Sequence, residues 1–246
     1  MSDEDGRRLI LELKQVTLNY YSGKKTFDHG VHKVLDGVSL KLYEGETLGV
    51  IGRNGCGKTT MLQLMAGIIA PTSGEVVRRR GSTAALLSIG LGFRRDLSGR
   101  DNAMLAAMLQ GSSRREANSY LEEIKEFSEL GDSFEEPVKT YSSGMRSRLG
   151  FTTALMTKVD VLLVDEVLSV GDAQFREKAE AAMREHMGGD RQSVVFVSHM
   201  GAQMKSLCGR AIWIDEGNIR MEGDVEVISD AYGKTVKKSP RIKESD

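Results

Sequence analysis

Gly52-Arg53-Asn54-Gly55-Cys56-Gly57-Lys58-Thr59 fits the spacing G-x-x-x-x-G-K-S/T, and each fixed position answers a demand of phosphate chemistry. Glycines let a backbone wrap close to a phosphate with its N–H groups turned inward. A helix starting at the end of the loop adds its positive N-terminal end. Lys58 supplies a point charge for the β and γ phosphates, and the Thr59 hydroxyl suits Mg²⁺. The apolar run 47–51 enters the loop as a strand and residues 59–68 leave it with helical spacing, the context the motif requires. Gly52, Asn54, Gly55, Cys56, Gly57, Lys58, Thr59 and Thr60 are therefore expected to hold a nucleotide. Cys56 reads as a small residue in a tight space; a redox switch is the alternative, without a second thiol nearby in sequence.

A second constellation lies downstream. Residues 161–164 form a hydrophobic strand that ends in Asp165-Glu166. A carboxylate at a strand's C-terminal edge, beside a phosphate loop, can hold the Mg²⁺ shell, the role expected of Asp165. Glu166 is expected to polarise the attacking water; plain surface exposure is the competing explanation for two acids in a row. His199 follows the β-branched strand 193–197 and is placed to contact a γ phosphate or the water, although a lone histidine is more often a core or surface residue.

These groups need an α/β frame. The continuous apolar runs 47–51, 161–164 and 193–197 read as strands covered on both faces. Residues 211–214 and 219–221 flank Asp215-Glu216-Gly217-Asn218 as a hairpin, while 9–20 and 34–43 alternate as antiparallel strands do. From Gly99 to Thr157 strand signals are absent and 102–110, 114–130 and 144–156 read as helices, so an inserted helical lobe is expected over about 99–157. Residues 1–8 are expected to be a flexible start. The polar tail 233–246, with five basic and two acidic residues, reads as a frayed end, a membrane-surface or RNA-binding tail being the alternative.

Composition sets the outer bounds. The 246 residues are 40% hydrophobic and 28% charged, close to ordinary soluble averages, which excludes disorder over most of the chain. Lysine plus arginine number 34 against 35 acids, so no global charge favours wrapping DNA. Two cysteines, Cys56 and Cys208, form no staple pattern and suit a reducing compartment. The acidic start followed by Arg7-Arg8 does not read as a signal peptide, and no apolar run approaches bilayer length. A soluble intracellular chain is the expectation.

The phosphate loop, Tyr141-Ser142-Ser143-Gly144-Met145, the Asp165-Glu166 strand end, Ser169-Val170-Gly171-Asp172 and His199 follow one another in an order and spacing that resembles the ATPase subunits of ABC transporters, over about residues 9–233. The resemblance implies a P-loop NTPase core with an ABC-type RecA-like sheet, an antiparallel β subdomain and the helical lobe, in one nucleotide-binding domain over 9–232. It implies that Tyr20, with Tyr21 as its rival, stacks on adenine. Ser142-Ser143-Gly144 would match the LSGGQ signature, with Tyr141 for Leu and Met145 for Gln. In the family the signature receives the ATP of the opposite subunit, and Asp172 matches the loop that links the two sites, so a homodimer binding ATP and Mg²⁺ is expected.

Departures narrow the branch. No glutamine occurs between Arg78 and Leu109, and Ser88 falls where the family's metal-contacting glutamine would stand. The stretch from Ser88 to Asn102 resembles the G-x-G-F-x-x-x-L-x-G-R-E-N segment of ATPases that export O-antigen, capsule and teichoic acid, as do Tyr141–Met145, Ser169–Asp172 and the long segment 22–33. Its glycines would turn against a coupling helix of the permease, with Phe93 as a buried anchor; a plain connector between lobes is the competing reading. Some O-antigen members carry a C-terminal carbohydrate-binding domain; the 47 residues after His199 are too few for one, and no sugar site is expected here.

The resemblance thus implies an ATPase at the cytoplasmic face of the bacterial inner membrane, peripheral to it. It would drive a separate integral-membrane permease that exports a lipid-linked polysaccharide, O-antigen foremost, with no nucleic-acid partner. An ABC ATPase for another exported substrate, a soluble one acting on DNA or ribosomes, and a non-turning nucleotide-gated regulator are the alternatives. Three weaker patterns carry less: Thr157-Lys158-Val159-Asp160 matches a guanine-reading motif in the wrong place, Asp28, His29 and His32 read as a solvated loop rather than a metal site, and Met104, Leu105 and Met108 read as core packing rather than a partner face.

Overall fold

The computed structural model describes residues 6–21, 30–87, 93–165, 171–187, 192–198 and 201–238. The chain divides into two compact units. One comprises Met1–Ile10, Tyr43–Gly45 and Arg78–Val194; the other comprises Leu11–Leu42, Glu46–Val77 and Val195–Asp246.

The second of these units holds most of β1 (Leu9–Tyr21), β2 (Val31–Tyr43) and β4 (Ser73–Arg78), a three-stranded sheet in the order β2-β1-β4. In β1 the inward positions run Leu11, Leu13 and then Val16, Leu18: the alternation slips by one residue at Gln15, whose φ of 48° marks the irregularity. Gln15 is secured there by its N–H and its Nε2, both donating to Ser39 Oγ. Gly74 lies against this kink so closely that an added Cβ would sit 2.2 Å from Gln15 O.

The same unit contains β3 (Thr47–Ile51), α1 (Lys58–Ala66), the last residues of β7 (Ser193–Val197), α6 (Gly201–Leu207), β8 (Arg210–Asp215), β9 (Asn218–Asp224) and α7 (Val225–Lys238). Its main sheet runs β7-β3-β8-β9, with β3 parallel to β8 in the register Val50 to Ile212 and β9 antiparallel to β8. The β8–β9 turn takes positive φ at both Glu216 (47°) and Gly217 (77°), the twist that two-residue hairpins favour. Gly217 also accepts from Asp36 N, with so little room that a Cβ would meet Val34 O at 2.6 Å.

Of the segment 233–246 expected to fray, residues 233–238 continue α7 and residues 239–246 lie outside the described residues. Tyr232 of α7 packs edge-on against Trp213 of β8, ring centroids 5.6 Å apart, and Lys205 of α6 pairs with Asp230 and Glu226. These contacts hold the part of α7 that precedes Gly233.

The other unit carries β5 (Ala84–Leu87), β6 (Val161–Asp165) and the first residues of β7, in that order, with β5 parallel to β6 in the register Leu86 to Leu163. Around them lie α2 (Gly99–Leu109), α3 (Arg114–Ser128), two 3-10 turns at Gly131–Glu135 and Val138–Thr140, α4 (Ser143–Met156) and α5 (Ala173–Met187). From Gly99 through Met156 no strand element occurs among the described residues. Capping fixes the helix starts: Ser98 accepts from Asp101 N at α2, and Ser113 and Glu116 form a reciprocal box at α3. Ala103, Leu121, Ile124, Phe134, Tyr141 and Leu149 pack into one core, against which Phe93 and Met104 are partly buried. Leu105 and Met108, read from sequence as core, are instead 42% and 40% exposed.

Candidate functional site

β3 delivers the phosphate loop from a fully buried position, Leu48 and Val50 being inaccessible to solvent. Gly52 turns the chain where a Cβ would stand 2.4 Å from Ile214 O and 2.7 Å from Cys56 Sγ, so only glycine fits. Gly57 opens α1 at φ 103°, and a Cβ there would lie 2.9 Å from Val34 O. As the N-cap it offers no side-chain hydrogen bond, which leaves the first N–H groups of α1 without the Ser or Asp oxygen that normally engages them. Asn54, Gly55 and Thr59 are exposed and Thr60 is half-buried.

Lys58 is 7% exposed, and its Nζ donates to Gly52 O (2.9 Å) and Arg53 O (3.0 Å). Among the described residues no carboxylate pairs with it. A buried ammonium held by carbonyls suits an anionic ligand at the loop. Cys56 beside it is buried, and burial pushes its thiol above the ordinary range against the opposing pull of Lys58. The same unit presents Tyr20 and Tyr21 at the end of β1, 46% and 71% exposed.

Asp165 stands at the C-terminal end of β6, half-buried after four buried residues. Glu166, Ser169, Val170, Ser88 and His199 lie outside the described residues, as do Asp28 and His29 of the segment read as a solvated loop. The Thr157–Asp160 pattern has a structural explanation. Asp160 Oδ2 accepts from Thr83 N (2.7 Å) and Thr83 Oγ1 (3.0 Å), and buried Thr157 donates to Thr153 O.

In the same unit, the Tyr141–Met145 segment starts α4. Ser142 is the N-cap and its hydroxyl oxygen accepts from Met145 N at 3.1 Å, leaving its own O–H free in direction. Ser143 is exposed on the first turn. Among the described residues a Cβ on Gly144 would meet nothing nearer than Ser142 Oγ at 3.8 Å, so none of them demands glycine there. Met145 turns toward the lobe core, which accounts for an apolar residue at that position.

Asp172 precedes α5, and its Oδ1 accepts from Phe175 N at 3.0 Å while its Oδ2 meets the Arg148 guanidinium. The Phe175 N–H first, and the Arg148 charge after it, hold the carboxyl below the usual range. Arg148 also bonds Glu129 (3.3 Å) and lies 5.0 Å from the Phe175 ring centre.

One residue outside the sequence-derived set emerges, Arg148, and one inside it, Asn102, gains a structural role. Arg148 sits one helical turn beyond the signature, where a lone arginine gives no sequence signal. Asn102 is buried, accepts from Arg94 N (2.7 Å) and donates through Nδ2 to Arg94 O, Leu97 O and Ser98 O. It thereby fixes the end of the Ser88–Asn102 stretch, the asparagine with which that stretch's resemblance closes; its burial is what the sequence did not show.

A glycine-wrapped loop between a buried strand and a helix, a strand ending in Asp165 and a helix started by Ser142-Ser143-Gly144 define the class of ATP-binding cassettes. The profile described as ABC transporter matches residues 35–169. The chain belongs to the ABC transporter family, as one of its ATPase domains. It is 42% identical over 200 residues to the teichoic acids export ATP-binding protein TagH of Listeria innocua, covering 81% of this chain and 59% of that one. It is 38% identical to the O-antigen export system ATP-binding protein RfbB of Myxococcus xanthus, over 91% of this chain and 51% of the relative. The chain thus spans little more than half the length of these curated relatives. Against RfbB of Klebsiella pneumoniae identity is 40% and coverage 80% of both chains. In fold, it matches the dimeric ATP-binding cassette MJ0796 bound to ADP and Pi, with a TM-score of 0.74 at 22% identity over 88% of this chain and 99% of that one. No described helix is long and apolar enough to cross a membrane.

Proposed function

We propose that this chain binds ATP with Mg²⁺, hydrolyses it as a homodimer, and thereby drives a separate integral-membrane permease that exports a lipid-linked surface polysaccharide. The work is done at the cytoplasmic face of the bacterial inner membrane. The observation that carries the first step is the buried Lys58 ammonium beside the uncapped start of α1, a charge arrangement that triphosphate satisfies. Tyr20 supplies the exposed aromatic face for the adenine. The Thr59 hydroxyl and the Asp165 carboxylate are hard oxygen donors that suit Mg²⁺, which would supply charge neutralisation at the phosphates.

Glu166 accepts the proton of the attacking water, and His199 contacts the γ phosphate. Ser142, Ser143 and the first N–H groups of α4 receive the phosphates of the partner's nucleotide, and the open space at Gly144 supports this reading. Asp172 links the two sites. ATP favours the closed dimer and ADP does not, so turnover cycles the permease.

Relatives named for teichoic acid and O-antigen export support this cargo class; O-antigen is the first candidate. The test compares source cells carrying wild type with cells carrying Glu166→Gln, staining glycan on both sides of the membrane. Polymer trapped inside the variant is the expected result, and its composition identifies the cargo. Normal surface glycan, with the variant expressed, would reject this cargo class.

A further inference from the structure

Tyr141 has no part in the chemistry above, yet it is the most firmly held residue of the signature. It is 4% exposed, and its Oη donates to Ser133 O at 2.6 Å. Its N–H donates to Val138 O at 3.1 Å, and its own carbonyl accepts from Arg146 at 2.6 Å. The phenol ring leaves no room at the start of α2: a Cβ on Gly99 would lie 2.2 Å from Tyr141 Oη and 2.9 Å from Phe134 O.

The two segments that meet at this contact are also laced together. Val138 N donates to Leu97 O (2.9 Å), Lys139 N to Arg95 O (2.9 Å) and Gly99 N to Glu136 O (3.2 Å). Asn102 staples Arg94, Leu97 and Ser98 to α2. The strap 94–99 and the strap 133–141 are therefore joined by backbone hydrogen bonds, and the joined segment ends at Tyr141, next to the α4 cap Ser142.

We propose that Tyr141 is a positioning residue: through its bond to Ser133 and its fit against Gly99 it sets where Ser142, Ser143 and the start of α4 stand, and so couples the 94–99 segment to the signature. This rests on the signature acting on the nucleotide of a second copy. A residue that acts there leaves ATP binding at the phosphate loop of its own chain alone and changes the steps that need the dimer.

The experiment uses the purified full chain as wild type, Tyr141→Phe, Gly99→Ala and Gly99→Ala/Tyr141→Phe. It measures kcat, ATP Kd and Tm for each, with ATP-dependent dimerisation in the Glu166→Gln background. Tyr141→Phe removes the hydroxyl and its hydrogen bond while keeping the ring, and is expected to lower kcat by about 2- to 10-fold with Kd near wild type and Tm lowered by no more than about 2–4 °C. Gly99→Ala is expected to lose more. The double variant should recover part of that loss, because the 2.2 Å clash is gone while the one at Phe134 O stays. A Tyr141→Phe chain with wild-type kcat and dimerisation overturns the proposal. So does a kcat loss matched by an equal fold loss of ATP affinity, which marks a merely structural role. A wild type that binds ATP without turnover or dimerisation overturns the underlying reading, and the positioning role with it.

Discussion

Arg148 of α4 and Asp172 at the start of α5 form an ion pair within one unit, tying the signature helix to the residue expected to reach across the dimer. The pair does not stand alone. Glu129 bridges Arg148 to Lys178 (2.7 Å), and Lys178 lies 4.5 Å from the centre of the Phe127 ring, which meets Phe175 edge-on. A network of this kind loses less side-chain entropy per contact than an isolated surface pair, because each partner is already ordered.

The pair predicts a pH signature. The Asp172 carboxyl is held below the usual range in the folded chain, so its stabilisation is complete above the ordinary carboxylate range and is lost as pH falls through the depressed value. The Tm difference between wild type and Asp172→Asn is therefore expected to be largest at neutral pH and to vanish at strongly acid pH. A difference constant across that window would show that the charge of Asp172 has no part in it.

The phosphate loop predicts a contrast between two glycines. Gly57 combines φ 103° with a Cβ position 2.8 Å from Leu35 and 2.9 Å from Val34 O, whereas Gly55 at φ 79° has open space around it. Gly57→Ala should cost about 1–3 kcal/mol more than Gly55→Ala in urea unfolding. Equal costs would mean that the contact with β2 does not constrain the loop.

Asp160 predicts a separation of stability from specificity. Its two bonds to Thr83 join the start of β5 to the start of β6. Asp160→Ala should lower stability by about 1–3 kcal/mol and leave the preference between ATP and GTP unchanged. A shift of preference would restore the guanine-reading interpretation of the Thr157–Asp160 pattern.

The strands that carry chemistry were legible because burial on both faces leaves unbroken apolar runs, as at 47–51, 161–164 and 193–197. Strand β5 was not: Ala84-Ala85-Leu86-Leu87 has helix-favouring residues, and its strand form comes from parallel pairing with β6, a contact distant in sequence. Strand β4 hid for the opposite reason, being exposed or half-exposed throughout. At the site, Lys58, Thr59, Ser142 and Asp165 announce themselves by fixed spacing. Gly99 and Asn102 were legible as motif positions but not in their contacts, and Arg148 acts through tertiary contacts that spacing cannot encode. Leu105 and Met108 misled because helical apolar spacing does not say whether a partner element covers the face.

The most direct measurement is ATP turnover and association state of the purified chain in Mg-ATP, wild type against Glu166→Gln. The account predicts wild-type hydrolysis, a loss of at least about 10²-fold in the variant, and accumulation of the variant as an ATP-bound dimer. A variant that hydrolyses ATP at the wild-type rate and stays monomeric would contradict it.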